Sequence, residues 1–284
     1  VSFHKEIRPL FQANCNGCHQ PAKAKGKYVM TDFAALLKGG DSEETAIVSG
    51  KPDESYLVEL VIPNDKGEYE MPKGKNAKPL HETEIDLIRR WIAEGAKDDS
   101  PEGAGSLYTM ESPPEYVMPP VVTSLDFSPD GKFLATTGFH EALIHKADGS
   151  GLVARLVGLS ERVESVAFSP DGKKLAVTGG QPGRMGEIQI WDLEKKELLL
   201  SKSVTFDTLY GASWSPDGKY LAFGAADTSV RVIDSSSGKQ IVYMAGHDDW
   251  VRGTVFSMDG KSVFSVGRDK TVKQTDVATE RFVG

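Results

Sequence analysis

Both cysteines of the chain lie in one short segment, Cys15-Asn16-Gly17-Cys18-His19. Two thiols separated by two residues and followed directly by a histidine form the motif that attaches c-type haem. The spacing suits this chemistry, because one turn of chain brings both thiols to the two vinyl groups on one porphyrin edge. His19 then lies beneath the iron as its proximal ligand. The motif predicts one haem c, held covalently by thioether links to Cys15 and Cys18.

Two other chemistries use closely spaced cysteines, a structural zinc site and a redox-active dithiol. A structural zinc site needs four ligands, and the chain has no second cysteine pair. A redox dithiol more often occurs where a strand meets a helix, in a small domain built around it. Haem attachment is therefore the interpretation that we favour for this segment.

The distal iron ligand is expected to be Met71. This residue precedes Pro72 in a loop rich in glycine and lysine, Lys66 to Lys78, just before the last predicted helix. A thioether on such a loop can reach the distal face of a haem held between the first and last helices. Coordination by histidine and methionine fills both axial positions and raises the reduction potential relative to two histidines. It predicts outer-sphere transfer of single electrons, with no open position for a substrate.

Other side chains compete with Met71 for the distal position. His81 ranks second, because it lies where a helix cap is expected, and Met30 suits a core position better. Three weaker candidates are His4, Met110 and Met118. The alternative for Met71 itself is an ordinary surface or core methionine, a role that its flexible side chain often fills.

The elements that must position these residues are helical. Residues 1–100 show apolar side chains at the 3.6-residue spacing of helices. Four helices are predicted: one that begins after Ser2 and is bent by Pro9, one over 33–37, one opened by Pro52 and Asp53, and one that carries Ile85, Ile88 and Ile92 and ends at Gly95. Residues 101–120 are rich in proline and glycine and predict an extended linker between domains.

From Val121 the apolar period changes to two, and the sequence repeats. A Ser-x-Asp-Gly turn begins at Ser128, Ser169, Ser215 and Ser257, at spacings of 41, 46 and 42 residues. A β-type run lies before and after each turn. A period of about 40–45 residues with four short strands is typical of WD40 propeller blades. Residues 121–284 are therefore predicted to be an all-β propeller, with blades that start near residues 121, 163, 209 and 251.

The short sequence motifs that usually mark individual WD40 blades occur only rarely in this chain. The Trp-Asp pair occurs once, at Trp191 and Asp192, and His247, Ser265 and Asp269 occupy the places of a buried structural hydrogen-bond network. About four blades are present, whereas propellers typically close with four to eight. We therefore expect the chain to be the first part of a longer propeller, or another chain to complete it.

The charge of the chain limits its partners. It has 33 basic and 41 acidic residues, for a net charge of -8, which argues against nonspecific nucleic-acid binding. No apolar run approaches the roughly 18 residues that cross a bilayer. Six lysines nevertheless flank the haem motif and Met71: Lys23, Lys25, Lys27, Lys73, Lys75 and Lys78. They are either solvated loop residues or a basic rim that steers an acidic redox partner.

The segment from Phe3 to Ala96 resembles the planctomycete-type cytochrome c domain. Besides the haem motif, the shared features are Glu6-Ile7-Arg8-Pro9, Lys25-Gly26, Gly39-Gly40, Gly50-Lys51-Pro52, Met71-Pro72 and Ile88-Arg89-Arg90-Trp91-Ile92. The downstream part is similar to the WD40 repeats that often follow this domain. The resemblance implies a multi-domain protein, with an all-α class I-like cytochrome c domain before an all-β WD40 propeller. It also implies export from the cytoplasm and Met71 as the distal ligand.

The predicted function is that of a monohaem electron carrier rather than an enzyme. The carrier is expected to dock to redox partners through its propeller. It could serve as a subunit of a larger oxidoreductase complex. Because haem c is attached outside the cytoplasmic membrane, the periplasm or an equivalent compartment is expected. The chain begins with Val1, so either a signal peptide has been removed or the chain is a fragment. The alternatives are a five-coordinate haem sensor or peroxidase-like enzyme, and a propeller scaffold with a structural haem.

Overall fold

The computed structural model describes residues 1–64, 67–73, 77–101 and 108–283. The chain divides into two compact units, Val1–Leu107 and Tyr108–Gly284, and each unit has its own hydrophobic core. Lys66, Lys75 and residues 102–107 of the predicted linker lie outside the described residues. Across the part of the chain that is described, no helix is both long and apolar enough to span a membrane.

The first unit is helical. Its elements are a π-helical turn (Phe3–Ile7), α1 (Arg8–Asn14), β1 (His19–Gln20), β2 (Lys23–Ala24), a 3₁₀ turn (Lys25–Lys27), α2 (Phe33–Lys38), a second 3₁₀ turn (Pro52–Glu54), α3 (Tyr56–Val61) and α4 (Glu82–Ala93). Strands β1 and β2 form a small antiparallel sheet.

The N-terminal helix is divided at the proline that was expected to bend it. Ser2 caps the π-helical turn, because its hydroxyl accepts a hydrogen bond from the backbone N–H of Lys5 at 3.0 Å. The α-helix begins only at Arg8, so Pro9 lies in its first turn. Backbone N–H groups in the first turn have no hydrogen-bond acceptor within the helix, so proline, which lacks this N–H, is tolerated there.

Helix α4 supplies the centre of the helical core. Its Trp91 ring lies 5.3 Å from the ring of Phe3 and 6.4 Å from that of Phe11, measured between ring centres. Ile88 and Ile92 on the same face are also buried. The apolar face of α4 is therefore occupied by the N-terminal segment of the chain.

The second unit is built from antiparallel sheets. Its strands are β3 (Leu125–Phe127), β4 (Phe133–Thr137), β5 (Phe139–Lys146), β6 (Leu152–Phe168), β7 (Lys174–Gln181), β8 (Met185–Asp192), β9 (Glu197–Thr205), β10 (Leu209–Trp214), β11 (Tyr220–Ala225), β12 (Ser229–Asp234), β13 (Gln240–Ala245), β14 (Val251–Phe256), β15 (Ser262–Gly267), β16 (Val272–Asp276) and β17 (Arg281–Phe282). Strands β10–β13 and β14–β17 form separate four-stranded sheets, which we call blades 3 and 4.

Blade 1 (β3–β6) and blade 2 (β6–β9) share strand β6. Strands β3–β9 form one seven-stranded sheet, because the 17-residue β6 continues from blade 1 into blade 2 without a loop. The Ser-x-Asp-Gly turns close the hairpins: in the first, the Ser128 hydroxyl donates to Asp130 at 2.7 Å. Gly131 follows with a φ of +71°, a conformation that glycine adopts without strain. The predicted fold class, a helical domain followed by a propeller-like array of β-sheets, is confirmed.

Two different polar networks lie inside the blades. In blade 4, His247 Nδ1 is 2.8 Å from Asp269 and its Nε2 is 2.8 Å from the Ser265 hydroxyl, the arrangement that the sequence predicts. In blade 2, the buried Glu187 carboxylate accepts hydrogen bonds from the hydroxyls of Ser160, at 2.7 Å, and Ser201. It also accepts one from the Gln189 amide at 2.7 Å. The blade 2 network was not predicted.

The buried carboxyl of Glu187 predicts a dependence of stability on pH. Burial raises its pKa above the ordinary value of 4.5, despite its three hydrogen-bond donors. A raised pKa in the folded state means that stability is greatest when the group is protonated and is lost as the pH rises through that pKa. The free energy of unfolding should therefore fall with rising pH above about 4.5, by at most about 1.4 kcal/mol per pH unit.

The measurement is chemical denaturation at a series of pH values for the wild type and Glu187→Gln. The variant should lack this component of the pH dependence, whereas a Glu194→Gln control, exposed on the same blade, should keep it. Parallel curves for the wild type and Glu187→Gln would contradict the prediction.

The outer faces of blades 1 and 4 are apolar and exposed. Val272 in blade 4 is 66% exposed, whereas Val230 at the equivalent position of blade 3 is 1% exposed. Leu125 in blade 1 is 60% exposed, and its equivalent in blade 2, Val166, is 3% exposed. The two ends of the array thus present the kind of residue that packs between the inner blades.

Candidate haem-binding site

The haem motif forms one turn of chain at the end of α1. The backbone N–H groups of Cys18 and His19 both donate to the carbonyl of Cys15, at 3.0 and 3.2 Å. His19 then begins β1, and its own carbonyl accepts from the N–H of Met30 at 2.9 Å. The local backbone therefore holds both cysteines and the histidine in the single turn that haem attachment requires.

The four predicted haem-binding residues, Cys15, Cys18, His19 and Met71, line one cavity of about 410 Å³. This volume falls in the range of roughly 300–1,000 Å³ that is usual for ligand and cofactor pockets. Much of the remaining wall is apolar, formed by Met30, Leu57, Leu60, Val61 and Leu80. The structure thus brings residues that are 52 positions apart in sequence, His19 and Met71, to the same apolar space.

The wall of the cavity comes from α3 rather than α4. Among the described lining residues, α3 contributes Tyr56, Leu57, Leu60 and Val61, and α4 contributes none. This differs from the expectation that a haem lies between the first and last helices. The physical reason is that the apolar face of α4 is already packed against Phe3 and other N-terminal residues.

The loop that carries Met71 is tied to α3. The backbone N–H of Met71 donates to the carbonyl of Leu60 at 2.8 Å, and the side chain is half-buried against the helical core. Met30 also lines the cavity and is only 4% exposed, so it belongs to the core as expected. Met71 is therefore the lining methionine whose side chain is not already enclosed by the core.

The competing distal ligands lie elsewhere. His81 is exposed and caps α4: its Nδ1 accepts from the N–H of Thr83 at 3.4 Å, and its own N–H donates to Glu84 at 2.7 Å. His81, His4, Met110 and Met118 do not line the cavity, as far as the described residues show. Met118 is 77% exposed on the second unit.

The protonation of the motif residues follows from their burial. Burial raises the pKa of the Cys15 thiol to about 12, with smaller contributions from Cys18 and Glu84. A thiol with so high a pKa is a poor source of the thiolate that a redox dithiol uses. Burial also lowers the pKa of His19, more than the backbone at Tyr28 and Lys25 raises it. His19 is therefore a neutral imidazole at pH 7, the form that binds a metal.

These donors fit a haem. Two thiols, an imidazole and a thioether around an apolar cavity match the attachment and axial ligands of haem c. The Nδ1 atom of His19 is buried and has no hydrogen-bond partner among the described residues. For the zinc alternative, the described part of the chain contains no group of three or more His, Cys, Asp or Glu side chains arranged to hold a metal ion.

Tyr28 packs against the predicted iron ligand His19 and was not itself predicted as a site residue. Its ring lies 5.4 Å from the ring of His19, at an angle of 60°. Its hydroxyl donates to the carbonyl of Leu36 in α2 at 2.8 Å. Tyr28 thus connects the position of His19 to the neighbouring helix, a link that no spacing in the sequence indicates.

Two glycines allow the chain to cross itself at the cavity wall. A Cβ atom on Gly40 would lie 2.1 Å from the carbonyl oxygen of Gly26 and 3.0 Å from the Cβ of Tyr28. The N–H of Asp41 donates to the same Gly26 carbonyl at 2.9 Å. The Lys25-Gly26 and Gly39-Gly40 pairs of the sequence are thus two halves of one backbone crossing.

The charges at the cavity are mixed. Lys25 and Lys73 line it, but so do Asp41 and Glu70, and Lys73 forms an ion pair with Glu70 at 2.6 Å. Of the other predicted rim lysines, Lys23, Lys27 and Lys78 do not line the cavity, and Lys75 lies outside the described residues.

The fold and the cavity define a cytochrome c-like domain joined to WD40-type β-blades. Comparison with protein families agrees: residues 15–74 match the family "Planctomycete cytochrome C". Residues 116–142, 151–192 and 238–276 match "WD domain, G-beta repeat", and residues 201–251 match "Anaphase-promoting complex subunit 4 WD40 domain". The fusion that the sequence suggested, a planctomycete-type cytochrome c segment followed by WD40 repeats, is confirmed.

The curated relatives found are similar over short segments. The chain is 43% identical to nuclear distribution protein PAC1-1 of Uncinocarpus reesii over 68 residues, which are 24% of this chain and 15% of that protein. It is 47% identical to nuclear distribution protein PAC1 of Mycosarcoma maydis over 55 residues, 19% of this chain and 12% of that protein. It is 34% identical to WD repeat and SOCS box-containing protein 1 of Danio rerio over 89 residues, 31% of this chain and 21% of that protein. The chain therefore matches only a small part of each relative.

Proposed function

We propose that this chain is a monohaem electron-transfer protein, with haem c attached at Cys15 and Cys18 and its iron held by His19 and Met71. The bound haem would supply a one-electron iron couple. The observation that carries the proposal is that all four side chains line one apolar cavity. With imidazole and thioether on the iron, no axial position is left for a substrate, which favours a carrier over an enzyme.

The surrounding residues suit this role. Leu57, Leu60 and Val61 give the cavity an apolar wall that limits water, and a less polar surrounding favours the less charged, reduced state of an iron centre. Tyr28 packs against the His19 ring, and the Leu60 carbonyl holds the backbone of Met71. The chain thus restrains both axial side chains from different elements.

The experiment is a spectroelectrochemical titration of the purified holoprotein, followed by exposure of the reduced form to carbon monoxide. We expect a reversible one-electron transition and no carbon monoxide adduct, because both axial positions are filled. Ready formation of the adduct by the wild type would instead support the five-coordinate sensor or peroxidase-like alternative.

The propeller is proposed to dock the haem domain to protein partners. Its exposed apolar ends, marked by Val272 and Leu125, favour contact with a further β-blade, from the same or another polypeptide. A tight pull-down through the propeller from a protein with no measurable electron exchange would favour the scaffold alternative, in which the haem is structural.

We also propose that the protein works in the periplasm or an equivalent compartment. The support is the Cys15–His19 motif, because covalent haem attachment takes place outside the cytoplasmic membrane. Fractionation of the native cells should recover the haem-bearing protein outside the cytoplasm, and recovery in the cytoplasmic fraction would contradict the proposal.

The lysines at the cavity predict a dependence of electron transfer on the charge of the redox partner. Reduction of an anionic probe such as ferricyanide should be faster than that of a neutral one, and it should slow as salt is added. The decrease in rate with salt should be about tenfold or less, because Asp41 and Glu70 offset the charges of Lys25 and Lys73. Changing both lysines to glutamine should flatten this salt dependence, measured by stopped-flow spectroscopy. Lys239→Gln, an exposed change on the propeller, is the control, and equal slopes in all three proteins would count against a basic rim.

A further inference from the structure

Four planar side chains stack where blades 3 and 4 meet. The rings of Tyr210 and Trp250 are nearly parallel, 17° apart, with centres 6.0 Å from each other. The guanidinium of Arg252 lies 4.2 Å from the centre of the Tyr210 ring, and that of Arg268 lies 4.7 Å from the centre of the Trp250 ring. We call these four residues the arginine–aromatic stack.

The backbone builds this stack in advance of any ligand. Strands β10 and β14 approach so closely that a Cβ on Gly211 would lie 2.4 Å from the Cα of Gly253. The hydroxyl of Thr254 donates to the carbonyl of Gly211 at 2.6 Å across the same gap. Each strand also has a bulge at this point, and bulges re-aim side chains. The contact between Tyr210 and Arg252 is therefore a product of the blade junction.

Backbone hydrogen bonds fix the position of Trp250 in the stack. The backbone N–H of Arg268 donates to the carbonyl of Trp250 at 2.9 Å, and the N–H of Trp250 donates to Asp249 at 2.7 Å. Trp250 is half-buried, while Arg252 and Arg268 are exposed. The aromatic rings thus form a fixed base between two exposed cations.

The two arginines have little of their charge neutralised by the described chain. Arg252 has no ion pair with any described carboxylate, and the one ion pair of Arg268 is a long contact of 3.6 Å with Asp249. Asp207 and Glu164 are also near Tyr210, but Asp207 already accepts from the N–H groups of Gly183, at 3.2 Å, and Thr208, at 2.7 Å. Arg252 thus offers an exposed guanidinium without an ion pair to a described carboxylate, and Arg268 offers one whose ion pair is long.

We propose that the arginine–aromatic stack is a docking site for an acidic protein segment. A guanidinium that stacks on a ring keeps its in-plane N–H groups free, and these bind a carboxylate with two parallel hydrogen bonds. Tyrosine, tryptophan and arginine are also the residues that dominate binding energy at protein interfaces.

The test is calorimetric titration of the full-length protein with a hexaglutamate peptide at low salt, with a chemical-shift change at the Trp250 indole as a second readout. We expect saturable binding that weakens at least tenfold in the double variant Arg252→Gln, Arg268→Gln. The control is Arg184→Gln, an exposed arginine of the same unit outside the stack, which should change the affinity less than twofold.

Thermal unfolding of each variant separates loss of binding from loss of fold. The single variants Arg252→Gln and Arg268→Gln should each show a partial loss of peptide binding. Absence of peptide binding by the wild type would overturn the proposal, as would equal weakening by Arg184→Gln. Tighter binding of a single-stranded oligonucleotide than of the peptide would also overturn it.

Discussion

Met71→Ala should convert the haem iron from six-coordinate to five-coordinate or water-ligated. The change removes the thioether that lines the cavity beside His19. Outside the haem motif, no other described lining residue offers a partly exposed sulfur or imidazole to replace it. The sulfur-to-iron charge-transfer band of the ferric protein should disappear, and the reduced protein should bind carbon monoxide. The reduction potential should fall by about 0.1–0.3 V, within the roughly 0.8 V range over which axial ligands set haem potentials.

The matched control is Met30→Leu. Met30 lines the same cavity but is 4% exposed and packed in the core, so this change keeps volume and removes only a sulfur. We expect it to keep the charge-transfer band and to cost less than about 1.5 kcal/mol of stability. If Met30→Leu abolished the band and Met71→Ala kept it, the two methionines would have to exchange roles.

Gly40→Ala should destabilise the helical unit by about 3 kcal/mol, through steric overlap and loss of a hydrogen bond. The added Cβ would lie 2.1 Å from the Gly26 carbonyl oxygen, so the two segments must separate and the bond from Asp41 to Gly26 must lengthen. Because Tyr28 is packed at the same crossing, the orientation of His19 should also be disturbed. Denaturant unfolding followed at the haem absorption band measures both effects.

Gly50→Ala serves as the control for this prediction. Gly50 has a φ of +78° and nothing within 4 Å of its would-be Cβ, so alanine there adds only backbone strain. That strain costs about 1–2 kcal/mol. A smaller loss of stability for Gly40→Ala than for Gly50→Ala would show that the crossing does not hold the cavity wall together.

The local backbone features of the candidate haem site could be predicted from the sequence. The spacing of Cys15, Cys18 and His19 specifies one turn of chain, and the structure has that turn. The position of Met71 before Pro72 indicated a ligand loop, and the structure places Met71 at the cavity.

What the sequence does not reveal is which elements share a face. The apolar spacing of α4 is stronger than that of the six-residue α3, yet α3 lines the cavity because α4 is used to cover the N-terminal segment. Tyr28 could not be predicted for the same reason, because its role depends on a contact with His19 that only tertiary packing creates.

In the propeller, too, some features could be predicted from the sequence and others could not. The repeated Ser-x-Asp-Gly turns predict the hairpins, and the pattern of His247, Ser265 and Asp269 predicts one polar network. The network around Glu187 could not be predicted, because a lone glutamate in a strand ordinarily faces solvent. One donor from its own strand, Gln189, and two from other strands, Ser160 and Ser201, make its burial tolerable. The convergence of the two hydroxyls is a property of strand register.

We propose that iron is held between His19 and Met71 in one covalently attached haem. The most direct measurement is the X-ray absorption fine structure at the iron edge of the ferric wild-type protein. We predict nitrogen ligands together with a single sulfur at thioether distance, a signal that Met71→Ala should remove. Nitrogen or oxygen ligands alone, or a purified protein without haem iron, would contradict the account.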